Sequence, residues 1–183
     1  GLAVAIALAS LSPAAVVKGH GALRASGNKI VDSTGTPIQV AGMSLFWPTY
    51  GGSRFYNSGA VGYTASEWKA SVVRAPIPVV PSNGTPVYNQ GDKALIRNAI
   101  DAAVANDIYV IVDWHVEGDN SLTTESKAFF EEFAKAYGKV PNVIWEIWNE
   151  PVFDNAATKT RNVPSRVGTT GCDLSSTDPV NSG

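Results

Sequence analysis

Short apolar runs recur along this chain, and helical stretches separate them. SVVRAPI (71–77), YVIVDWH (109–115) and VIWEIWN (143–149) are each rich in β-branched residues and turn polar toward their ends. Continuous rather than alternating apolarity suits strands covered on both faces, as in a parallel sheet. Between them, DKALIRNAIDAAVAND (92–107) places Ile96, Ile100, Ala103 and Val104 on one face of a helix. TESKAFFEEFAKAYG (124–138) carries Phe129, Phe130, Phe133 and Tyr137 on one side and stops at Gly138. That aromatic stripe reads as packing rather than as a binding surface. IQVAGMSLF (38–46) is the expected first strand of the series, and TASEWKA (64–70) offers Thr64 and Glu67 as a capping box for a short helix. Ahead of all this, ALRASGNKIVDSTGTPIQV (22–40) alternates apolar pieces with the turn signals Ser26-Gly27-Asn28 and Ser33-Thr34-Gly35, a small hairpin.

A strand–helix rhythm of this kind builds either a doubly wound sheet or a (β/α)8 barrel. No glycine-rich fingerprint follows the first strand, which argues against a nucleotide-binding doubly wound sheet. Trp47, Arg74, Asp113-Trp114-His115 and Asn149-Glu150 instead gather at strand ends, where barrels form their sites. The expectation is therefore α/β: the first half of a (β/α)8 TIM-type barrel behind a small N-terminal β-hairpin. A full barrel takes roughly 250 residues. The stretch 155–183 is rich in Ser, Thr, Gly and Asn and has no apolar period, so the fifth to eighth strands are expected to be absent. The expected limits are a signal-peptide remnant over 1–15, the half barrel over 16–154 and an irregular tail over 155–183. Such a half barrel leaves the edges of its first and fourth strands open, which invites self-association.

Hydrophobic content of 44% and charged content of 16% suit a globular chain. A net charge of −2 without a Lys/Arg cluster excludes nucleic acid as a main partner. The opening GLAVAIALASLSPAAVV is uncharged up to Lys18 and reads as the h-region of a signal peptide, with a buried helix as the alternative. It is too short to span a bilayer, so the mature protein is expected to be secreted and extracellular, with no membrane partner. A lone Cys172 makes no disulfide framework, and His20 and His115 are too few and too far apart for a zinc site. No cofactor is expected.

Strand parity sorts the polar groups, because alternate side chains face opposite ways. Asp113 and His115 share one face of their strand, and Glu146 and Glu150 share one face of theirs. If both faces point inward, Glu150 and His115 meet at the rim, with Asp113 and Glu146 deeper as hydrogen-bonded interior structure. Glu150 is the functional candidate, since Asn149-Glu150-Pro151 ends a strand with a carboxylate. Glu146 cannot be its partner in a glycosidase pair. Four residues along a strand is roughly 13 Å, whereas retaining enzymes hold their carboxyls about 5 Å apart and inverting ones less than about 10 Å.

GMSLFWP, FYN, VVRAPI, NDIYVIVDWH, FFEEFAKAYG and NVIWEIWNEP, in this order from about Gly21 to Val152, resemble glycoside hydrolase family 5 on the side of the bacterial cellulases. The resemblance implies a (β/α)8 barrel that cleaves β-1,4-glucan with retention, needing no cofactor. It implies Glu150 as general acid/base and Asn149 as a hydrogen-bond partner of the sugar 2-hydroxyl. Arg74 would hold the nucleophile ionised, His115 would line the cleavage subsite, and Trp47 would stack on sugar or serve the core. Trp114 and Trp148 read as packing and Glu117 as a loop charge. The family's nucleophilic Glu, its His-x-Tyr pair and its later stacking Trp have no counterpart after Val152. SRVGTTG (165–171) is similar to the loop after the nucleophile, which would put Arg166 in the nucleophile's place. The alternatives to an active endoglucanase are a carbohydrate-binding remnant without catalysis and an inert fragment.

Overall fold

The computed structural model describes residues 15–82, 85–87, 89–116, 123–149, 153–155 and 160–161, with backbone alone for 80–82, 85–87, 153–155 and 160–161. The signal-like stretch 1–14, Glu117, Glu150 and most of 155–183 lie outside the described residues.

The described residues open with a single helical turn, α1 (Val17–His20), and a hairpin of β1 (Arg24–Ser26) and β2 (Lys29–Val31). Gly27 takes φ +60° as the first residue of the two-residue connection, the geometry that lets a tight turn follow the strand twist. β3 (Gly42–Ser44) comes next, then α2 (Ser58–Ser66) and β4 (Val72–Pro78). A small antiparallel pair, β5 (Val80–Ser82) and β6 (Thr85–Val87), precedes α3 (Asp92–Ala105), β7 (Tyr109–His115), α4 (Thr123–Tyr137) and β8 (Val143–Glu146). β9 (Phe153–Asn155) and β10 (Thr160–Arg161) form another antiparallel pair. β3, β4, β7 and β8 make one parallel sheet in that order.

The two faces of this sheet differ. Val73, Ala75 and Ile77 of β4 and Val110, Val112 and Trp114 of β7 join Ile96, Ile100, Phe129 and Phe133 of the covering helices in one buried cluster. The opposite parity carries Val72, Tyr109, Ile111 and Ile144 at the N-terminal end, closed off by Val17, Leu23, Ile38 and Val40 of the leading segment. Further along the same face the residues become Arg74, Asp113, His115 and Glu146. One face is thus wholly apolar, while the other is apolar at its base and charged at its rim.

β4 is a central strand containing two prolines, which a sheet interior ordinarily refuses because proline donates nothing to the ladder. Pairing with β3 ends at Ser44↔Arg74, and Leu45 then donates its N–H to the Arg74 carbonyl at 2.8 Å. By alternation Pro76 and Pro78 turn their nitrogens to that same side, beyond the last β3 residue, so no ladder bond is lost. The Pro76 carbonyl accepts instead from the hydroxyl of buried Tyr56, at 2.9 Å.

Several expectations need correcting. The first strand of the sheet is only Gly42–Ser44, not 38–46, because Ile38 donates its N–H back to the Ile30 carbonyl at 3.1 Å and stays with the hairpin. The helix expected to start at Thr64 starts at Ser58. Asn57 caps it by accepting the Ala60 N–H at 3.0 Å, while Thr64 lies in its last turn and donates its hydroxyl to the Ala60 carbonyl at 2.9 Å. On α3, Ile96, Ile100 and Ala103 are buried as expected but Val104 is 43% exposed; Ala99 and Ala102 complete the stripe. β8 ends at Glu146 rather than at Asn149, and Ile147 turns out to solvent. On α4, Phe129 and Phe133 are fully buried and Tyr137 stacks on Phe133, a packing role for the aromatic stripe.

Candidate active site

Arg74 is the centre of the rim. In register it lies level with Ile111, while Asp113 and Glu146 sit one inward-facing position further along their strands. The long guanidinium stem spans that step. Its Nε donates to Glu146 Oε2 at 2.7 Å and its Nη2 to Glu146 Oε1 at 2.9 Å, a forked pair. Nη2 also lies 2.7 Å from Asp113 Oδ2 and 2.8 Å from Asn149 Oδ1. Two hydrogens on Nη2 therefore face three acceptors, which locks the guanidinium in place.

Asp113 has no exposure and gives the same oxygen, Oδ2, to His115 Nδ1 at 2.6 Å. Its Oδ1 is buried without a partner among the described residues. Burial pushes the Asp113 carboxyl above the ordinary carboxylate range; the His115 hydrogen bond and Arg74 pull it back, and Glu146 adds to the rise. The His115 ring packs on Trp47, with centroids 4.3 Å apart at 69°. Trp47 in turn contacts Tyr50 at 5.4 Å. It is held at the mouth of a tight turn in which Gly52 donates its N–H to the Trp47 carbonyl at 3.0 Å. A Cβ on Gly52 would lie 2.0 Å from the Phe46 carbonyl oxygen, so only glycine admits that return.

Asn149 reaches the cluster after β8 has ended. Its backbone N–H donates to the Trp114 carbonyl at 3.3 Å and its Oδ1 accepts from Arg74, while Nδ2 is buried without a partner among the described residues. A buried amide donor left unpaired is costly in a finished core and serviceable where an acceptor arrives from outside. Glu150 follows Asn149 directly in the chain and lies outside the described residues.

Four of the residues singled out from sequence, Arg74, Asn149, His115 and Trp47, thus form one connected group. Asp113 and Glu146, read as interior hydrogen-bonded structure, are Arg74's partners. Trp114 is buried against Phe129 at 5.3 Å, in keeping with packing, and Trp148 packs against the same cluster, its indole N–H without a partner among the described residues. Sequence reasoning gave no role to Tyr56, whose phenol is pushed up by burial and then by the charges of Asp113 and Asp92. The only signal for it was its place in the FYN stretch. Among the described residues no group of three His, Cys, Asp or Glu could hold a metal ion.

Residues 31–170 match the sequence model of the cellulase family, glycosyl hydrolase family 5. The chain belongs to this family. It is 41% identical over 132 residues to Endoglucanase Z of Dickeya dadantii (strain 3937), covering 71% of this chain and 31% of that protein. It is 36% identical over 145 residues to an endoglucanase of Clostridium saccharobutylicum, covering 75% of this chain and 31% of that one. The catalytic domain of Thermobifida fusca endoglucanase Cel5A (E5) superposes with a TM-score of 0.67 at 28% identity, over 79% of this chain and 48% of that domain. A variant of the same domain has been solved in complex with cellotetraose. The chain spans about a third of the length of the curated relatives it matches. In family terms its parallel sheet is part of a (β/α)8 barrel, with the hairpin closing the base and the Arg74 cluster at the C-terminal rim.

Proposed function

We propose that this chain carries the acid/base side of a retaining endoglucanase site that cleaves β-1,4-glucosidic bonds in cellulose or a related β-glucan. Glu150 is the general acid, giving its proton to the glycosidic oxygen as the bond breaks and then, as carboxylate, taking one from water. Asn149 donates Nδ2–H to the sugar 2-hydroxyl, His115 lines the cleavage subsite, and Trp47 offers its indole to a sugar face. Arg74 holds the rim's carboxylates and Asn149 in place. One observation carries the reading: Asn149, next to Glu150, is anchored by Arg74 through its carbonyl and keeps a buried amide donor with no partner among the described residues.

Retention also needs a second carboxylate, about 5 Å from the first, to form the glycosyl-enzyme. Asp113 and Glu146 are both committed to Arg74, so the nucleophile comes from outside the described residues. The same commitment favours a second reading, a glucan-binding rim that performs no turnover. We infer in addition that residues 1–15 belong to a signal peptide and that the protein acts outside the cell.

Release of reducing sugar from carboxymethyl-cellulose by the 183-residue chain, with Glu150→Gln beside it, tests the proposal. The expected outcome is activity that falls by roughly 100-fold or more in the variant, the size of a lost general acid. Retention on cellulose with no turnover in either protein would leave the binding reading standing and reject the hydrolytic one.

A further inference from the structure

The chain has two histidines, and the role of the ring at the rim depends on which of its nitrogens carries the proton. His115 is 7% exposed, and its Nδ1 lies 2.6 Å from Asp113 Oδ2. That oxygen also takes a hydrogen from Arg74 Nη2 at 2.7 Å, so it is already polarised as an acceptor. A carboxylate oxygen beside a guanidinium has no proton to give, so the proton between it and Nδ1 belongs to the ring. Nε2 has no partner among the described residues. Trp47, packed at 4.3 Å, fixes the plane of the imidazole while Asp113 fixes one of its edges.

We propose that Asp113 is a positioning residue that holds His115 as the Nδ1–H tautomer, leaving Nε2 as a hydrogen-bond acceptor for a hydroxyl donor of the bound sugar. The neutral ring then does not compete with Asn149 for sugar acceptors: one side chain of the pocket accepts and the other donates. Asp113 is suited to the task because Arg74, itself clamped by Glu146, prevents the carboxylate from turning away. Its bearing on catalysis depends on His115 lining the cleavage subsite, as proposed above; the tautomer itself does not.

Long-range proton–nitrogen correlation spectra of the isotope-labelled full chain read the tautomer directly. They are recorded over a pH series, and the tautomer is read where the spectra show a single neutral ring form. His20→Gln identifies the second ring. The expected wild-type spectrum shows His115 protonated at Nδ1. Asp113→Leu, which removes the acceptor and keeps the same branched outline with a larger side chain, is expected to send the ring over to mainly Nε2–H, the form a histidine side chain prefers in water. Asp113→Asn, whose amide oxygen can occupy the Oδ2 position, is expected to keep Nδ1–H. A wild-type ring protonated at Nε2 overturns the proposal. So does an Asp113→Leu chain that unfolds cooperatively like wild type and shows an unchanged tautomer. If Asp113→Leu does not fold, the wild-type spectrum decides. Failure of the chain to hydrolyse glucan would count against the proposed activity and leave these spectra untouched.

Discussion

His20 and His115 each turn Nδ1 toward an aspartate, one in the leading segment at the base of the sheet and one at the end of β7. At the base, His20 lies 3.1 Å from Asp32, and its side chain is 41% exposed. Asp32 Oδ1 there accepts the N–H groups of Thr34 and Thr36, at 2.9 and 3.0 Å, and the Thr34 hydroxyl at 2.7 Å. The turn fills that carboxylate with local donors, and the histidine is an addition. At the rim, Asp113 has no backbone donor among the described residues, and Oδ2 takes both a guanidinium and an imidazole. The same pair of residue types is a turn device in one place and a preorganised acceptor in the other. Burial and neighbours make the difference, not the residues.

The largest effect that would sharpen this contrast is removal of Arg74. Arg74→Met leaves Asp113 and Glu146 facing one another without their cation. Breaking a buried ionic group in this way costs about 3–5 kcal/mol, read as a lowered urea midpoint. Adding Asp113→Leu should recover part of the loss; a single-variant cost under about 1 kcal/mol would mean that the rim behaves like a surface pair.

The two aspartates should also respond to pH with opposite signs. The Thr34 and His20 hydrogen bonds hold Asp32 well below the usual carboxylate range, so its contribution is present above its unfolded pKa, about 3.9, and fades on acidification through the folded value. The deficit of Asp32→Asn against wild type should therefore shrink as the pH falls below about 4. Asp113 is raised by burial, so its contribution is greatest below the unfolded value and declines as the pH rises toward the folded one. Asp113→Asn should gain on wild type as the pH rises above about 4. Urea midpoints over this range check both, and slopes of the same sign would erase the contrast.

A smaller effect tests the attachment of the base. The Tyr109 hydroxyl donates to the Gly21 carbonyl at 2.7 Å and ties α1 to the start of β7. Tyr109→Phe should cost about 1 kcal/mol in the same unfolding measurement and leave the His115 tautomer unchanged. A change in that tautomer would show that base and rim are coupled along the strand.

Much of the scaffold was legible because its signals are local. The run 109–115 became a strand with the expected limits, since continuous β-branched apolarity needs no distant information to be read. Parity put Asp113 beside His115 and sent Trp114 to the other face, because alternation is a property of any extended chain. The misses were competitions between neighbours. Ile38 reads equally as strand until the hairpin claims its N–H, and Thr64-x-x-Glu67 reads as a cap until Asn57 begins the helix earlier. Two glycines and short side chains kept the true start of α2 quiet.

The sequence by itself determined the alternation of strands and helices, the face on which Arg74, Asp113 and His115 sit within their strands, and the family that these residues mark; Asn149 joins them only because β8 ends early. Only the tertiary structure decided who meets whom. Arg74 and Glu146 are 72 residues apart, and their forked contact exists because β4, β7 and β8 lie side by side in one particular register. Pro76 and Pro78 are tolerated in a central strand because β3 stops short of them. Pattern is set by the geometry of a single chain, whereas register and burial are set by neighbours, and a carboxylate's role at the rim is a matter of neighbours.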